Sequence, residues 1–544
     1  MCHTRILPNS DSAINSSPDE IGGHFSASSV HGDGHTRGDT AAGGGRLGNK
    51  GDLSYPDASA REKPGHTGRY RAQLAMREIL SKDHAIHTCG WRLGAAAGIR
   101  SDGRGKTRVE GVASCGNGHV CPVCGGKIAA ARADEIRAAV AEASARGLQT
   151  VLVTLTIQHR TSDKLADLLA DLMGAWSYAY ANAGAARVRF NERFNVAGFI
   201  RGLEVRYSRR AGWHPHYHLL VFVDAGAGVD DIETELHDRI FQRYAHFLTS
   251  DDERIVCKRR NRRGYHANDK TIDVRAAAGV DEYLTKIAAE VSIGQDKIGR
   301  DDASYSPFQL ATLYDKTRAD WVPGVLREYA DAMRGRAALR WSRGLRDLLE
   351  LGAELTDEDI ADMEDLPDDE GNTPEVEALP DPWVFWDDGP VYTSLWRRGL
   401  VGEARDISGH VNGWDSDEVR QFYQWVATVT GMPDVDIDDA VMRVWWINEK
   451  LLAGGEMTLD ASAELAAADR EKWRSAWRSA QNLYRASKEL EAANVRPELW
   501  PDKLFAAGFT VDEIEPFMRR FWSGLPLSPE VGDHAVFVLP EVQS

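Results

Sequence analysis

The chain has 544 residues, of which 42% are hydrophobic and 27% charged, with a formal net charge of −18 and a pI near 5.5. This length exceeds what one compact core requires and predicts two or three domains. No apolar run reaches the ~18–20 residues of a membrane span, and residues 1–30 lack a signal-peptide core. We therefore expect a cytoplasmic protein.

The negative charge is unevenly distributed along the chain. Residues 69–345 hold 42 Lys and Arg against 33 Asp and Glu, a balance of +9 that leaves −27 for the remainder. A basic middle between acidic ends is typical of a chain in which one domain meets a polyanion such as nucleic acid. An uneven surface without such a partner is an equally good explanation of the charge alone.

The first predicted structured segment follows a polar N-terminus and contains four cysteines. Residues 1–68 are poor in large apolar side chains, which predicts disorder. Residues 69–126 contain Cys89, Cys115, Cys121 and Cys124, a set that matches a closed structural Zn²⁺ site in a cytoplasmic protein. His119 is an alternative ligand, and a redox pair at Cys121-Pro-Val-Cys124 is an alternative function.

Alternating helices and strands are predicted over residues 127–348. Hydrophobic periodicity predicts, in order, a helix at 127–146, a strand at 149–156, a helix at 161–182, strands at 196–207 and 214–223, a helix at 229–248, a strand at 271–275 and a helix at 280–291. This α+β order predicts a ferredoxin-like, split βαββαβ domain: an antiparallel sheet with helices on one face. An acidic linker at 349–379 and a helical region at 380–544, to which we assign no role, complete the prediction.

The strand at 214–223 begins with Trp213-His214-Pro215-His216-Tyr217-His218. Residues two apart in a strand share a face, so His216 and His218 lie side by side and can share one divalent metal. If the preceding turn centres near residue 210, Glu204 faces His216 and becomes a third ligand. Two imidazoles and a carboxylate suit Mn²⁺ or Mg²⁺. Ordinary strand-edge histidines are the alternative, and His159 competes with Glu204 as the third ligand.

A candidate nucleophile follows the last predicted strand. Tyr283 and Lys286 lie three residues apart and therefore on one helical face. A tyrosine needs help to act as a nucleophile at neutral pH, and a neighbouring ammonium together with a metal-polarised phosphate provides it. The alternative is a buried core tyrosine beside a solvated lysine.

A basic loop is predicted between the helix at 229–248 and the last strand. Its cations suit a single-stranded DNA track, although a merely solvated loop would look the same. They are Lys258, Arg259, Arg260, Arg262 and Arg263.

Together these motifs resemble the HUH endonuclease superfamily, and within it the rolling-circle replication initiator (Rep) proteins of actinobacterial plasmids. The resemblance covers roughly residues 85–348 and includes the histidine strand, Tyr283-Leu284-Thr285-Lys286 and Leu339-Arg340-Trp341-Ser342-Arg343-Gly344-Leu345-Arg346. It implies nicking of one strand of single-stranded or cruciform origin DNA. Tyr283 would join the 5′-phosphate, and the free 3′-OH would prime synthesis by a host polymerase, with a host helicase as further partner.

Two positions depart from the patterns of such initiators. Many carry an acid one helical turn before the tyrosine, but that position is Gly279 here, so termination must differ. Two-tyrosine relatives place a second tyrosine at the position of Ile287, which implies a single nucleophile. Relaxases and single-strand transposases share this chemistry and are the nearest alternatives. A zinc-bearing DNA-binding regulator that does not cut is the alternative from another class.

Overall fold

The structure, a computed structural model, describes residues 66–94, 96–102, 104–181, 191–249, 270–276, 304–363, 380–387, 390–431, 437–454 and 470–525. The strands in these residues are β1 Ala97–Ser101, β2 Thr107–Glu110, β3 Leu148–Thr156, β4 Gly198–Ser208, β5 Gly212–Asp224, β6 Ile272–Ala276, β7 Leu339–Trp341 and β8 Trp383–Asp387.

The helices of the first part are α1 His66–Ile79, α2 Pro122–Ala145, α3 Leu165–Trp176, α4 Val229–Thr249, α5 Pro307–Thr317, α6 Val322–Met333, α7 Leu345–Leu348 and α8 Asp357–Asp362. Those of the C-terminal part are α9 Pro390–Arg398, α10 Val401–Ser408, α11 Ser416–Thr430, α12 Ile437–Leu452, α13 Arg470–Ala492, α14 Trp500–Ala506 and α15 Val511–Trp522. Within the described residues, none of these helices has the length and apolar content that crossing a membrane requires.

A five-stranded sheet occupies the middle of the described chain. Its strand order is β6-β3-β5-β4-β7, and every neighbouring pair is antiparallel. From β3 to β6 the element order is β-α-β-β-α-β, as the periodicity predicts, and the predicted helix and strand bounds agree with the observed ones to within about five residues. The short edge strand β7 is an addition that the sequence reasoning did not contain.

Helices cover both faces of this sheet, which corrects the prediction of helices on one face. On one face, α3 and α4 pack against side chains such as Val153 and Leu219. On the other, alanines of α2 pack against Leu220 and Phe222. Alanine side chains allow α2 to approach the sheet closely, and Gly147 (φ +75°) then turns the chain from α2 into β3.

A second, three-stranded sheet joins distant parts of the sequence. Its order is β2-β1-β8, with β1 paired antiparallel to both neighbours. Side chains of β1 and β8 share one core with helices α9 to α13. The C-terminal region is therefore helical, as predicted, but it also contains a buried strand, and it folds together with the hairpin β1-β2 from the predicted zinc module.

The segment after the first sheet is also folded where it is described. Helix α8 packs against α2, and Arg132 on α2 bonds the carbonyl of Leu355 at 2.7 Å and the Asp357 carboxylate at 3.0 Å. Residues 349–363 thus differ from the linker predicted there. Residues 1–65, the rest of that linker and the predicted helix at 280–291 lie outside the described residues.

Candidate metal centre and cysteine cluster

The hairpin β4-β5 brings Glu204, His216 and His218 to one face of the five-stranded sheet. Glu204 pairs with His216 in the strand register, as the predicted turn position requires. Position 212 favours glycine for two reasons. Its φ is +79°, in the left-handed region, and a Cβ there would lie 2.8 Å from the Cα of Thr161. Tyr217 points to the opposite face and is buried in the core with α3 and α4.

The three side chains form a compact ligand set. Their ligand atoms, one carboxylate oxygen and one nitrogen from each imidazole, all lie within 4.8 Å of one another. Glu204 Oε2 is 2.7 Å from His218 Nε2 and 4.0 Å from His216 Nδ1. These distances leave room for one ion to replace the direct hydrogen bond between Glu204 and His218.

A second layer of contacts orients the ligand side chains. Thr154 on β3 lies opposite His218, and its Oγ1 is 3.1 Å from His218 Nδ1. The guanidinium of Arg206 lies 3.6 Å from Glu204 and also donates to the carbonyl of Ser304 at 2.6 Å. Such contacts fix which imidazole nitrogen and which carboxylate oxygen point into the site.

Two of the three side chains have the protonation states of metal ligands. Burial, aided by the neighbouring His214, lowers the pKa of His216 to about 3. Burial alone would raise the pKa of Glu204, but the hydrogen bond with His218 and the positive charges around it bring that pKa to about 2. A metal ion requires neutral imidazole and ionised carboxylate, and His216 and Glu204 hold these forms at neutral pH.

One buried atom indicates that the set fits a cation. Among the described residues, His216 Nδ1 is buried and has no hydrogen-bond partner. An unsatisfied buried nitrogen costs about 1–3 kcal/mol, and it faces the Glu204 carboxylate. A divalent ion between them would satisfy this nitrogen, so the residues fit Mn²⁺ or Mg²⁺.

The face also carries two further histidines that form a row with the ligands. The His214 ring lies 3.9 Å from that of His216, and the His159 ring lies 4.4 Å from that of His214. His214 Nε2 is 3.0 Å from Thr156 Oγ1, and His159 Nδ1 is 2.9 Å from the carbonyl of Ala211. His159 therefore does not join the ligand set as the competing third ligand. The sequence reasoning gave His214 no role, although its parity with His216 places it on the same face.

The four predicted cysteines converge in a second cluster. Cys89 Sγ lies 3.5 Å from the sulfurs of Cys121 and of Cys124, and Cys115 Sγ lies 3.8 Å from that of Cys124. Cys121 occupies the N-cap position of α2, and Pro122 follows in the first turn. Burial opposes ionisation of Cys121, but hydrogen bonds from the other three thiols hold its pKa well below the ordinary value, whereas the pKa values of Cys89 and Cys115 in the same network are raised.

A buried arginine lies beside this cluster and would be balanced by negative charge on the cysteines. Arg77 is 8% exposed, and among the described residues no carboxylate lies within ion-pair distance of it. Its guanidinium bonds Gln73, whose Nε2 donates to Cys121 Sγ at 3.2 Å. A buried cation needs an opposite charge, and four thiolates around one Zn²⁺ carry a net charge of −2. The cysteines therefore fit a four-thiolate zinc site.

The cluster is attached to the C-terminal part of the chain. Trp396 Nε1 donates to the carbonyl of Cys89 at 2.9 Å, and the Tyr392 hydroxyl donates to that of Gly90 at 3.0 Å. His119, the alternative ligand, instead contacts the carbonyl of Arg336 through Nε2 at 2.9 Å.

The remaining predicted site residues lie outside the described residues. They are Tyr283 and Lys286 of the nucleophile motif and Lys258, Arg259, Arg260, Arg262 and Arg263 of the basic loop.

Comparison with known proteins identifies the family. A family model described as a replication protein matches residues 106–388, which run from β2 to β8 and include the Glu204 site. Protein rep of Streptomyces lividans is 28% identical over 323 residues, 48% of this chain and 68% of that protein. The neomycin resistance protein of Streptomyces cyanogenus is 33% identical over 135 residues, 21% of this chain and 31% of that protein. No solved structure matches the chain. With more than half of its residues matched by the model, the chain belongs to the replication protein family.

Proposed function

We propose that this replication protein initiates plasmid rolling-circle replication by nicking one strand of origin DNA, with Tyr283 as nucleophile and a divalent ion held by Glu204, His216 and His218. The convergence of these three ligands carries the proposal, because their ligand atoms lie within 4.8 Å of one another on a single hairpin. Membership of the replication protein family supports DNA as the substrate.

The chemistry follows from the ligand set and from the Tyr-Leu-Thr-Lys motif. A bound Mn²⁺ or Mg²⁺ supplies positive charge to a non-bridging oxygen of the scissile phosphate. The Tyr283 oxygen would attack phosphorus and release its proton to solvent, forming a 5′-phosphotyrosine bond. The bond to the 3′ oxygen breaks, that oxygen takes up a proton, and a 3′-OH primer remains.

The side chains around the reaction have separate tasks. Thr154 and Arg206 orient His218 and Glu204, which would hold the ion together with His216. The Lys286 ammonium, one helical turn from the tyrosine in the predicted helix, stabilises the charge that develops in the transition state. The cations from Lys258 to Arg263 would contact the backbone of the displaced or incoming single strand.

The zinc site and the partners complete the proposal. Zn²⁺ held by the four cysteines is structural, because all four positions are filled by thiolates and none is left for a substrate. Host helicase and DNA polymerase would act on the product, since the nick supplies both a displaced strand and a primer.

The proposal is tested with single-stranded oligonucleotides that tile the replication origin, incubated with Mn²⁺. We expect a covalent DNA adduct on a peptide containing Tyr283, seen by denaturing gel and mass spectrometry. Tyr283→Phe should abolish the adduct, whereas Tyr314→Phe, a matched change on α5, should keep it. DNA binding with neither cleavage nor adduct in the wild-type protein would contradict the proposal and favour a non-cutting regulator.

A further inference from the structure

Two arginines face each other across the strand pair β4-β7. Arg201 on β4 pairs in register with Arg340 on the edge strand β7. Cross-strand partners point to the same face, about 5 Å apart at Cβ. Arg201 is half-buried and Arg340 is exposed, so water screens this pair only in part. Like charges directly opposite each other destabilise a sheet.

A third arginine, Arg336, lies in the segment between helix α6 and strand β7 and joins this pair around Tyr217. The Arg201 guanidinium lies 4.4 Å from the centre of the Tyr217 ring. The segment that carries Arg336 and Arg340 runs beside Tyr217, because Leu203, the register partner of Tyr217, donates its backbone N–H to the carbonyl of Ala338 at 2.9 Å. Burial raises the pKa of Tyr217, and the charges of Arg201, Arg336 and Arg340 oppose that rise. Arg336 is half-buried, and its Nε donates to the carbonyl of Ala332 at 2.9 Å.

No described carboxylate balances these charges. Among the residues that the structure describes, no ion pair involves Arg201, Arg336 or Arg340. By contrast, the buried Arg132 on α2 is paired with Glu135 at 2.8 Å and with Asp357 at 3.0 Å. Three guanidinium groups in a partly desolvated cluster repel one another more strongly than in water. An anion with several oxygens could accept hydrogen bonds from more than one guanidinium group, and its negative charge would offset their mutual repulsion.

We propose that Arg201, Arg336 and Arg340 form a phosphate-binding site that holds the backbone of single-stranded DNA. Guanidinium groups suit this ligand because their donors match phosphate oxygens in bidentate geometry. Strand β7 lies at the edge of the sheet, so a DNA strand could reach the arginines there, and the buried Tyr217 ring lies beneath them. The identity of the polyanion rests on the proposed function.

The position of the arginine cluster relative to the Glu204 site indicates which phosphates the cluster would bind. Arg201 precedes Glu204 by three residues on β4, about 10 Å along the strand, and the two side chains point to opposite faces. A DNA strand whose scissile phosphate lies at Glu204 would pass over the β7 edge to reach the arginines. The cluster would therefore bind phosphates that flank the nick and would not take part in the bond-breaking step.

The test compares arginine variants in DNA affinity and in its salt dependence. The dissociation constant of a labelled origin oligonucleotide is measured between 50 and 300 mM salt for Arg201→Gln, Arg340→Gln and the wild-type protein. Each lost phosphate contact should weaken binding about tenfold and reduce the slope of log affinity against log salt by about 0.7. Arg334→Gln is the matched control, because Arg334 is exposed on the same segment and pairs with Asp331 at 3.3 Å.

The outcomes separate this inference from the proposed function. Arg340 is exposed, so the Arg340→Gln protein should fold normally. Its affinity therefore tests the phosphate site even if the Arg201→Gln protein is unstable. Unchanged affinity and slope in Arg340→Gln, with the wild-type protein binding and nicking, would overturn the phosphate site alone. Absence of binding and nicking in the wild-type protein would contradict the proposed function.

Discussion

The two candidate metal sites of this chain use opposite designs. The cysteine cluster draws its ligands from the segment after α1, from the segment between β2 and α2 and from the start of α2, and three of its four cysteines are buried. The Glu204 site takes all three ligands from one hairpin, and the side chains of Glu204 and His216 keep 13% and 14% of their surface exposed. A closed four-thiolate site stabilises a fold, whereas three ligands with open positions allow a substrate to bind.

Their surroundings reinforce this contrast. Around the cysteines, a buried arginine and the tryptophan at 396 connect the site to the C-terminal helices. Around Glu204, threonine and arginine side chains orient the ligands, and one imidazole nitrogen is left without a partner. On our proposal, the first environment would depend on its metal for folding, whereas the second already holds its ligands in place without one.

The largest expected effect is loss of the cysteine site. Cys121→Ser removes one thiolate from a site whose Zn²⁺ contributes about 10–16 kcal/mol in small zinc domains, more than the whole stability of a typical domain. We expect loss of bound zinc and unfolding of the surrounding core, measured by metal analysis and circular dichroism. Cys257→Ser, a change outside the four cysteines, is the control. A Cys121→Ser protein that keeps one bound zinc and full stability would contradict a structural role for the cysteine site.

An intermediate effect is expected from the residue that orients His218. Thr154→Val keeps the shape of the side chain but removes the oxygen that lies 3.1 Å from His218 Nδ1. We expect Mn²⁺ affinity to fall about 10–100-fold with the fold unchanged, as measured by isothermal titration calorimetry. Thr154→Ser restores the hydroxyl and should recover most of the affinity. Equal affinity in all three proteins would show that this contact does not orient the ligand.

The smallest effect is a pH dependence of stability in the metal-free protein. Burial lowers the pKa of His214 to about 4 and that of His216 to about 3, from an ordinary 6.5. Below pH 6.5 the unfolded chain binds protons at both positions that the folded chain does not. The free energy of unfolding should therefore fall as the pH drops from 6.5 towards 4, and it should gain nothing from these groups above 6.5.

The His214→Gln variant measures how much His214 contributes to this pH dependence of the free energy of unfolding. His214→Gln should reduce this slope by about 1.4 kcal/mol per pH unit, measured by urea unfolding in EDTA between pH 6 and 4.5. The same slope in His214→Gln and wild type would mean that His214 is not held neutral in the folded protein.

Much of the Glu204 site was predictable because its geometry is local. A hairpin turn near residue 210 fixes the pairing of Glu204 with His216, and strand parity fixes the common face of His216 and His218. The cysteine cluster was predictable from ligand type and spacing. These inferences depend on residues close together in the sequence or on chemistry that few other side chains provide.

The missed features depend on contacts between distant residues. Strand β8 pairs with β1 although nearly 290 residues separate them, and its Trp-Val-Phe-Trp-Asp sequence is buried on both sides and shows no alternation. Strand β7 has three residues, too few for a periodic pattern. Helix α2 is rich in alanine on all sides, so its sequence does not reveal that it covers a second face of the sheet.

The most direct test of the account is Mn²⁺ binding, followed by electron paramagnetic resonance, to the wild-type protein and to His216→Ala, with zinc content measured in parallel. We predict one tightly bound Mn²⁺ in the wild type, lost in His216→Ala together with Mn²⁺-dependent nicking, which should fall 100-fold or more. Zinc content and folding should stay unchanged. Full Mn²⁺ binding and full nicking in His216→Ala would contradict the assignment of Glu204, His216 and His218 as the metal centre.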